Sequence, residues 1–312
     1  MKFQLVARRS AVVLIAPAIL AACAGGPPGV TPPGVHPAWW REAPAAARAG
    51  VYVAQANGAA DGIVFGFGAQ DRKNKAPRCS IGNQKFADTA IAADPAGNLY
   101  LANVQNGTVN VYGPNCGSLI ATLSDPYGSD SDVALHGSTI YAVGSEHVAV
   151  CTRKGCTAAL TDPSILQLET AAVDSKGNVW ASFYDQQGRI SLMVWRNGAM
   201  PGHAVSGYVN QNTPGGLIFD NHDNLVSIQT RFFHAYAYRC DAAASACTST
   251  GTFTLHAASL FGALNAQNTD IQVTDYANDS VDVYAYPGFT YEYSYDSGLL
   301  KTSSVQGIAQ TR

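Results

Sequence analysis

The chain has 312 residues, a formal net charge of −3 and only 13% charged residues. So nearly balanced a charge offers no basic face for nucleic acid, and the length suits one large β domain with a sizeable core. Fifteen tyrosines, with Gly, Val, Thr and Ser plentiful between turn residues, favour strands over helices.

Lys2, Arg8 and Arg9 precede an apolar run from Ala11 to Leu20. That run is about half the ~20 residues a membrane-spanning helix needs, and a basic n-region before a short apolar h-region reads as a targeting segment, residues 1–22. Leu20-Ala21-Ala22-Cys23 resembles the bacterial lipobox, which implies that Cys23 becomes the lipidated first residue of the mature chain. The alternative is an ordinary secretory signal cleaved after a small-x-small site. Acyl chains contribute ~0.8 kcal/mol per buried methylene, so several chains anchor stably. Ala24 follows the cysteine instead of Asp, and by resemblance to Gram-negative lipoproteins this directs the protein to the outer membrane, on the periplasmic side. Residues 23–49 are rich in Pro, Gly and Ala and read as an extended tether. Trp39 and Trp40 within it either pack on the following domain or mark its start.

From residue 50 onward the chain repeats. Thr89 to Tyr112 reads as a strand, an Asp94-Pro95-Ala96-Gly97 turn, a second strand, a polar turn at Gln105-Asn106-Gly107, and a third strand. The second strand recurs at Leu99, Ile140, Val179, Leu225 and Ile271, at spacings of 39 to 46 residues, with a further copy at Val51. Periods of this size signal propellers or arrays. Each later copy follows a strand of small residues, such as Ala90-Ile91-Ala92-Ala93 or Asp132-Val133-Ala134-Leu135, which suits the crowded axis of a ring. Apolar third strands follow, such as Val109-Asn110-Val111-Tyr112, then a more polar fourth, such as Ser118 to Leu123. Four antiparallel strands per unit make a propeller blade, and six units predict a six-bladed β-propeller over residues 50–312. The first unit lacks an innermost strand, and Ser304-Val305-Gln306-Gly307-Ile308-Ala309 is the spare that closes the ring and removes an exposed edge.

Asp94-Pro95-Ala96-Gly97-Asn98-Leu99-Tyr100, Asp174-Ser175-Lys176-Gly177-Asn178-Val179-Trp180 and Tyr276 to Tyr284 resemble the NHL-repeat and TolB-like six-bladed propellers. That resemblance implies a fold and almost nothing about activity. The units around Gly137 and Asn268 depart from it, each lacking the turn Asp.

Besides Cys23, six cysteines remain, an even number that reads as a disulfide framework in an exported chain. Cys151 and Cys156 flank one third-to-fourth-strand hairpin, and Cys240 and Cys247 flank another. Cys79 and Cys116 then fall on the rims of neighbouring blades, so the blade arrangement pairs them.

For function, Asp88, Asp132, Glu169 and Gln306 lie at or beside innermost strands and are candidates for binding at the channel mouth. A likeness to gluconolactonase-type lactonases would imply a divalent cation on the axis, held by such acids. Carboxylates stand at only half of the equivalent positions, so no metal ligand and no cofactor is assigned. A likeness to virginiamycin B lyase would imply a His base, yet none of the seven histidines has an acid nearby in sequence in a recognisable pattern, and no catalytic residue is assigned. Phe289, Tyr291, Tyr293 and Tyr295 alternate and are expected on one face of one strand. Such a row either packs on the next blade with its hydroxyls reaching solvent or, exposed, binds carbohydrate or a partner, and the loop Arg231-Phe232-Phe233-His234 is a second candidate surface. The reading that emerges is a lipid-anchored, monomeric binding or scaffolding module for a protein or carbohydrate ligand. A lactonase- or lyase-like enzyme working through the axial channel is the alternative.

Overall fold

A computed structural model describes residues 49–57, 61–68, 75–84, 90–126, 128, 131–208, 214–229, 233–300 and 304–311. Cys23, the targeting segment, the tether and Asp88 lie outside the described residues. Among the described residues, twenty-four strands form six sheets of four, each antiparallel throughout. The protein is a six-bladed β-propeller. Its innermost strands are Ile91–Ala93, Asp132–His136, Ile165–Val173, Pro214–Phe219, Gly262–Leu264 and Ser304–Gln310.

Ring closure is made by the C-terminal strand. Ser304–Gln310 pairs antiparallel with Ala49–Asn57, matching Val51 to Gln310, Val53 to Ile308 and Ala56 to Ser304. Blade one is therefore assembled from both ends of the domain. Because successive strands are antiparallel, the turns between first and second and between third and fourth strands share one face of the ring, called lower below. The turns between second and third strands, and the blade-to-blade crossings, share the other, upper face.

The core is divided into six seams, one between each pair of neighbouring blades. Blades three and four enclose Tyr141, Phe183, Met193 and Trp195. Blades four and five enclose Trp180, Phe219 and Tyr238. Aromatic side chains come chiefly from second and third strands, where the sheets splay apart.

The repeated Asp turn has a clear physical basis. Asp94 accepts from the backbone N–H of Asn98 (2.8 Å) and from its amide Nδ2 (2.7 Å). Asp174 does the same with Asn178 and also accepts from Trp180 Nε1 at 3.0 Å. Gly97 (φ 86°) and Gly177 (φ 80°) supply the left-handed residue that these turns need. The corresponding turns of blades five and six manage without glycine. Asp223 (φ 59°) and Asn268 (φ 52°) take the left-handed position, which short polar side chains tolerate best. In blade six, Asn265 replaces the turn Asp and accepts from the Thr269 N–H at 2.8 Å.

Disulfides join Cys79 to Cys116, Cys151 to Cys156 and Cys240 to Cys247. The first staples blade one to blade two, and the others close outer hairpins of blades three and five, the pairs expected from the blade arrangement.

Candidate functional site at the seam of blades five and six

Of the described acids near the axis, Asp132 ties two strands together, whereas Glu169 bonds within its own strand. Asp132 is buried, and its carboxylate accepts from Thr170 Oγ1 (2.5 Å), Ala171 N–H (3.0 Å) and its neighbour Val133 N–H (2.7 Å). It thus binds the innermost strand of blade three to that of blade four. Burial pushes its pKa up to about 6, against the pull of those hydrogen bonds. Glu169 is half-buried and accepts from Gln167 Nε2 at 2.8 Å, and burial raises its pKa as well. Gln306 donates from Nε2 to Ser304 Oγ at 2.7 Å. Among the described residues, neither Asp132 nor Glu169 belongs to a convergent group of three potential metal ligands.

The histidines hold a surprise. His147 opens the third strand of blade three, and its Nε2 lies 2.5 Å from Asp125 Oδ2, both side chains buried. Asp125 belongs to the crossing from blade two, 22 residues earlier, so local sequence gives no sign of the pair. His147 also lines an upper-face cleft of about 790 Å³ with Ser145, Glu146, Asp162, Leu166 and Gln186. The Cε1 edge of the ring lies against Gly144, where an added Cβ would come within 2.2 Å of it. A smaller lower-face cleft of about 480 Å³ lies between blades four and five. Its Arg196 is committed to capping a turn, donating to the carbonyls of Ala242 (2.8 Å) and Ala243 (2.7 Å).

Among the described residues, exposed rings flank the seam where blade five meets blade six, Phe233 and Tyr276 at upper-face turns and Tyr291 on the outer strand of blade six. The crossing between the two blades organises it. Leu255 N–H donates to the Phe233 carbonyl (2.5 Å), His256 N–H donates to the Tyr284 hydroxyl (2.6 Å), and Tyr276 N–H donates to the Ala258 carbonyl (3.3 Å). The same short segment thus ties the backbone at Phe233 and at Tyr276 and carries the His256 ring, which packs against Tyr291 at 4.9 Å. Phe233, Tyr276 and Tyr291 are 45%, 40% and 44% exposed, an unusual outlay for large rings. Beneath them Tyr284 meets Tyr291 edge-on at 5.7 Å, and Phe253 stacks on Phe289 at 4.3 Å.

Two buried carboxylates stand beside the His256 ring. Asp282, on the third strand Ser280–Ala285, accepts from Ser294 Oγ (2.5 Å) and Tyr284 OH (3.3 Å). Burial raises its pKa, and the charge of Asp275 adds to that. Burial likewise holds the Tyr284 hydroxyl above the usual phenol range, with the Asp282 charge adding to the effect. Asp275, at the end of its second strand, accepts from Ala277 N–H, Asn278 N–H and Asn278 Nδ2.

The expected aromatic row on one strand face is corrected by the structure. Phe289 sits in the turn with φ 51°, before the strand Thr290–Tyr295 begins. A bulge then lets Tyr291 oppose Tyr284 while Tyr293 opposes Val283. One extra residue reverses the alternation. Phe289 and Tyr291 therefore face blade five, whereas Tyr293 and the buried Tyr295 pack into the seam with blade one. Of the second candidate surface, Arg231 and Phe232 lie outside the described residues.

These features define the class, a six-bladed β-propeller. No protein-family description matches the chain, and no curated protein resembles it in sequence. Solved structures resemble it in fold. A chain of the nidogen–laminin complex superposes with a TM-score of 0.65 at 14% identity, over 84% of this chain and 99% of its own. A luciferin-regenerating enzyme gives 0.54 at 12% identity, over 67% and 76% of the two chains. The calcium-binding protein regucalcin from Agrobacterium tumefaciens gives 0.53 at 12%, over 68% and 78%. At such identities the likeness is one of architecture, and that architecture serves binding proteins and enzymes alike.

Proposed function

We propose that this protein is a lipid-anchored extracytoplasmic propeller that binds a carbohydrate ligand at the seam of blades five and six. The observation that carries the reading is the packing of the His256 ring on exposed Tyr291, carried by a crossing segment whose backbone is also tied to the loops that bear exposed Phe233 and Tyr276. Flat rings offer stacking platforms to the C–H faces of sugars, and the tyrosine hydroxyls and imidazole add hydrogen-bonding groups. Three disulfides in one domain suit an oxidising, extracytoplasmic compartment. The lipobox-like Leu20-Ala21-Ala22-Cys23 supports anchoring, and Cys23→Ser is expected to abolish labelling by a palmitate analogue.

A glycan array probed with the purified protein tests the reading. Tyr291→Ala and Phe233→Ala are each expected to weaken the best hit on the order of tenfold, the cost of about 1.4 kcal/mol. An array without hits, or hits indifferent to both substitutions, would overturn it. A protein retained at the same seam in envelope extracts, and lost with the same substitutions, would replace carbohydrate by protein as the ligand.

The buried His147–Asp125 pair on its cleft favours a second reading, an enzyme with a His base of the lactonase or lyase kind. Turnover of a lactone or ester panel that disappears in His147→Gln, with the array silent, would favour it over the binding module.

A further inference from the structure

We propose that His256, Asp275 and Asp282 form a binding site for a divalent transition-metal ion of the zinc or manganese class. One ligand atom from each residue lies within 4.8 Å of the other two. His256 Nδ1 and Asp282 Oδ2 are 3.7 Å apart. Donors ~2.0–2.1 Å from a tetrahedral ion stand roughly 3.3–3.4 Å from one another. A small rotation of side chains therefore closes the triad onto an ion.

The surroundings are those of a built site. Both carboxylates are buried, whereas the His256 side chain is 57% exposed, so the ion has a route in from solvent past the imidazole. The supporting hydrogen bonds leave little freedom to the ligands. Ser294 Oγ and Tyr284 OH hold Asp282, Asn278 and the turn N–H groups hold Asp275, and the same Tyr284 hydroxyl accepts from the His256 backbone. Such outer partners orient first ligands and are a regular part of metal sites. Among the described residues no Lys or Arg forms an ion pair with either carboxylate, and a dication would neutralise two buried negative charges that otherwise face each other. One imidazole nitrogen with two carboxylates is a mixed N/O set that suits zinc or manganese. Calcium prefers six to eight oxygens. Three protein ligands leave at least one position toward solvent, where water or a ligand oxygen can bind.

The site lies within the seam proposed above for carbohydrate, yet the inference stands apart from it, because the metal alone is the probe. Full-length protein stripped with a chelator and titrated calorimetrically with zinc chloride and manganese chloride should bind one ion per chain. His256→Ala, at an exposed position, should weaken binding at least tenfold while leaving the circular dichroism spectrum and melting temperature of the metal-free protein unchanged. Asp282→Asn should do so more severely, and cobalt substitution should give a visible absorption spectrum that His256→Ala alters. Absence of one-to-one binding, binding untouched by His256→Ala, or saturation by calcium with no response to zinc or manganese would overturn the proposal.

Discussion

Deleting the C-terminal strand is the most direct perturbation of the architecture. Val305 and Ile308 are buried in the seam of blades six and one, and Ala309 is buried in that of blades one and two, so one strand feeds two cores. Burial of Val and Ile alone is worth roughly 1.5–3 kcal/mol each, together ~3–6 kcal/mol. The ladder to Ala49–Asn57 adds further hydrogen bonds, each worth ~0.5–1.5 kcal/mol net. Whole domains are stable by only about 5–15 kcal/mol, so a chain ending at Leu300 is expected to lose most of its cooperative transition. The informative assay is urea unfolding followed by fluorescence with Trp39 and Trp40 replaced by Phe. The remaining reporters, Trp180 and Trp195, are buried in blade four, remote from the cut. A substantially lowered midpoint at those residues shows that closure stabilises the whole ring. The milder Ile308→Ala should cost about 2–5 kcal/mol. A Trp transition unmoved by the truncation would refute the reasoning, because each blade would then be standing without its neighbour's support.

Two further predictions concern polar and covalent ties. Asp132 has a folded pKa raised to about 6, above an unfolded carboxylate near 3.9. Its contribution to stability is therefore fully present below about pH 4 and is lost as pH rises to about 6. The stability of wild type relative to Asp132→Asn should fall by on the order of 2–3 kcal/mol across that window and then level off; parallel curves from chemical unfolding at each pH would contradict this. The bridge between Cys79 and Cys116 spans 37 residues and by loop entropy contributes about 4 kcal/mol, against about 2 kcal/mol for a five-residue loop such as 151–156. Calorimetric melting should accordingly show Cys79→Ser/Cys116→Ser more destabilised than Cys151→Ser/Cys156→Ser, and the reverse order would count against the staple between blades.

The fold was largely legible because a blade is built from local hairpins. Each carries its own turn chemistry, so the recurrence of Asp94 and Asp174 with their Asn partners, and of the strands after them, could be counted along the chain. The spare segment at Ser304 was legible for the same reason, since blade one lacked one strand. The candidate site was much less so. His256 meets Asp282 from the crossing out of another blade, and His147 meets Asp125 across another seam. Such contacts depend on how neighbouring sheets face each other, which local periodicity does not encode. The bulge between Tyr291 and Tyr293 defeated alternation in the same way, since one inserted residue sends two tyrosines to opposite seams.

The join in blade one also governs how the molecule responds to pulling. Thr311 N–H donates to the Gly50 carbonyl at 3.0 Å, so the two ends of the propeller leave side by side from one edge of the wheel. Tension drawn between them would peel this ladder one rung at a time, like a zip, and yield at low force. Tension applied across the ring, between the first strand and blade four, bypasses that weak line and loads whole sheets at once. The propeller is thus mechanically firm across its diameter and fragile along its own suture.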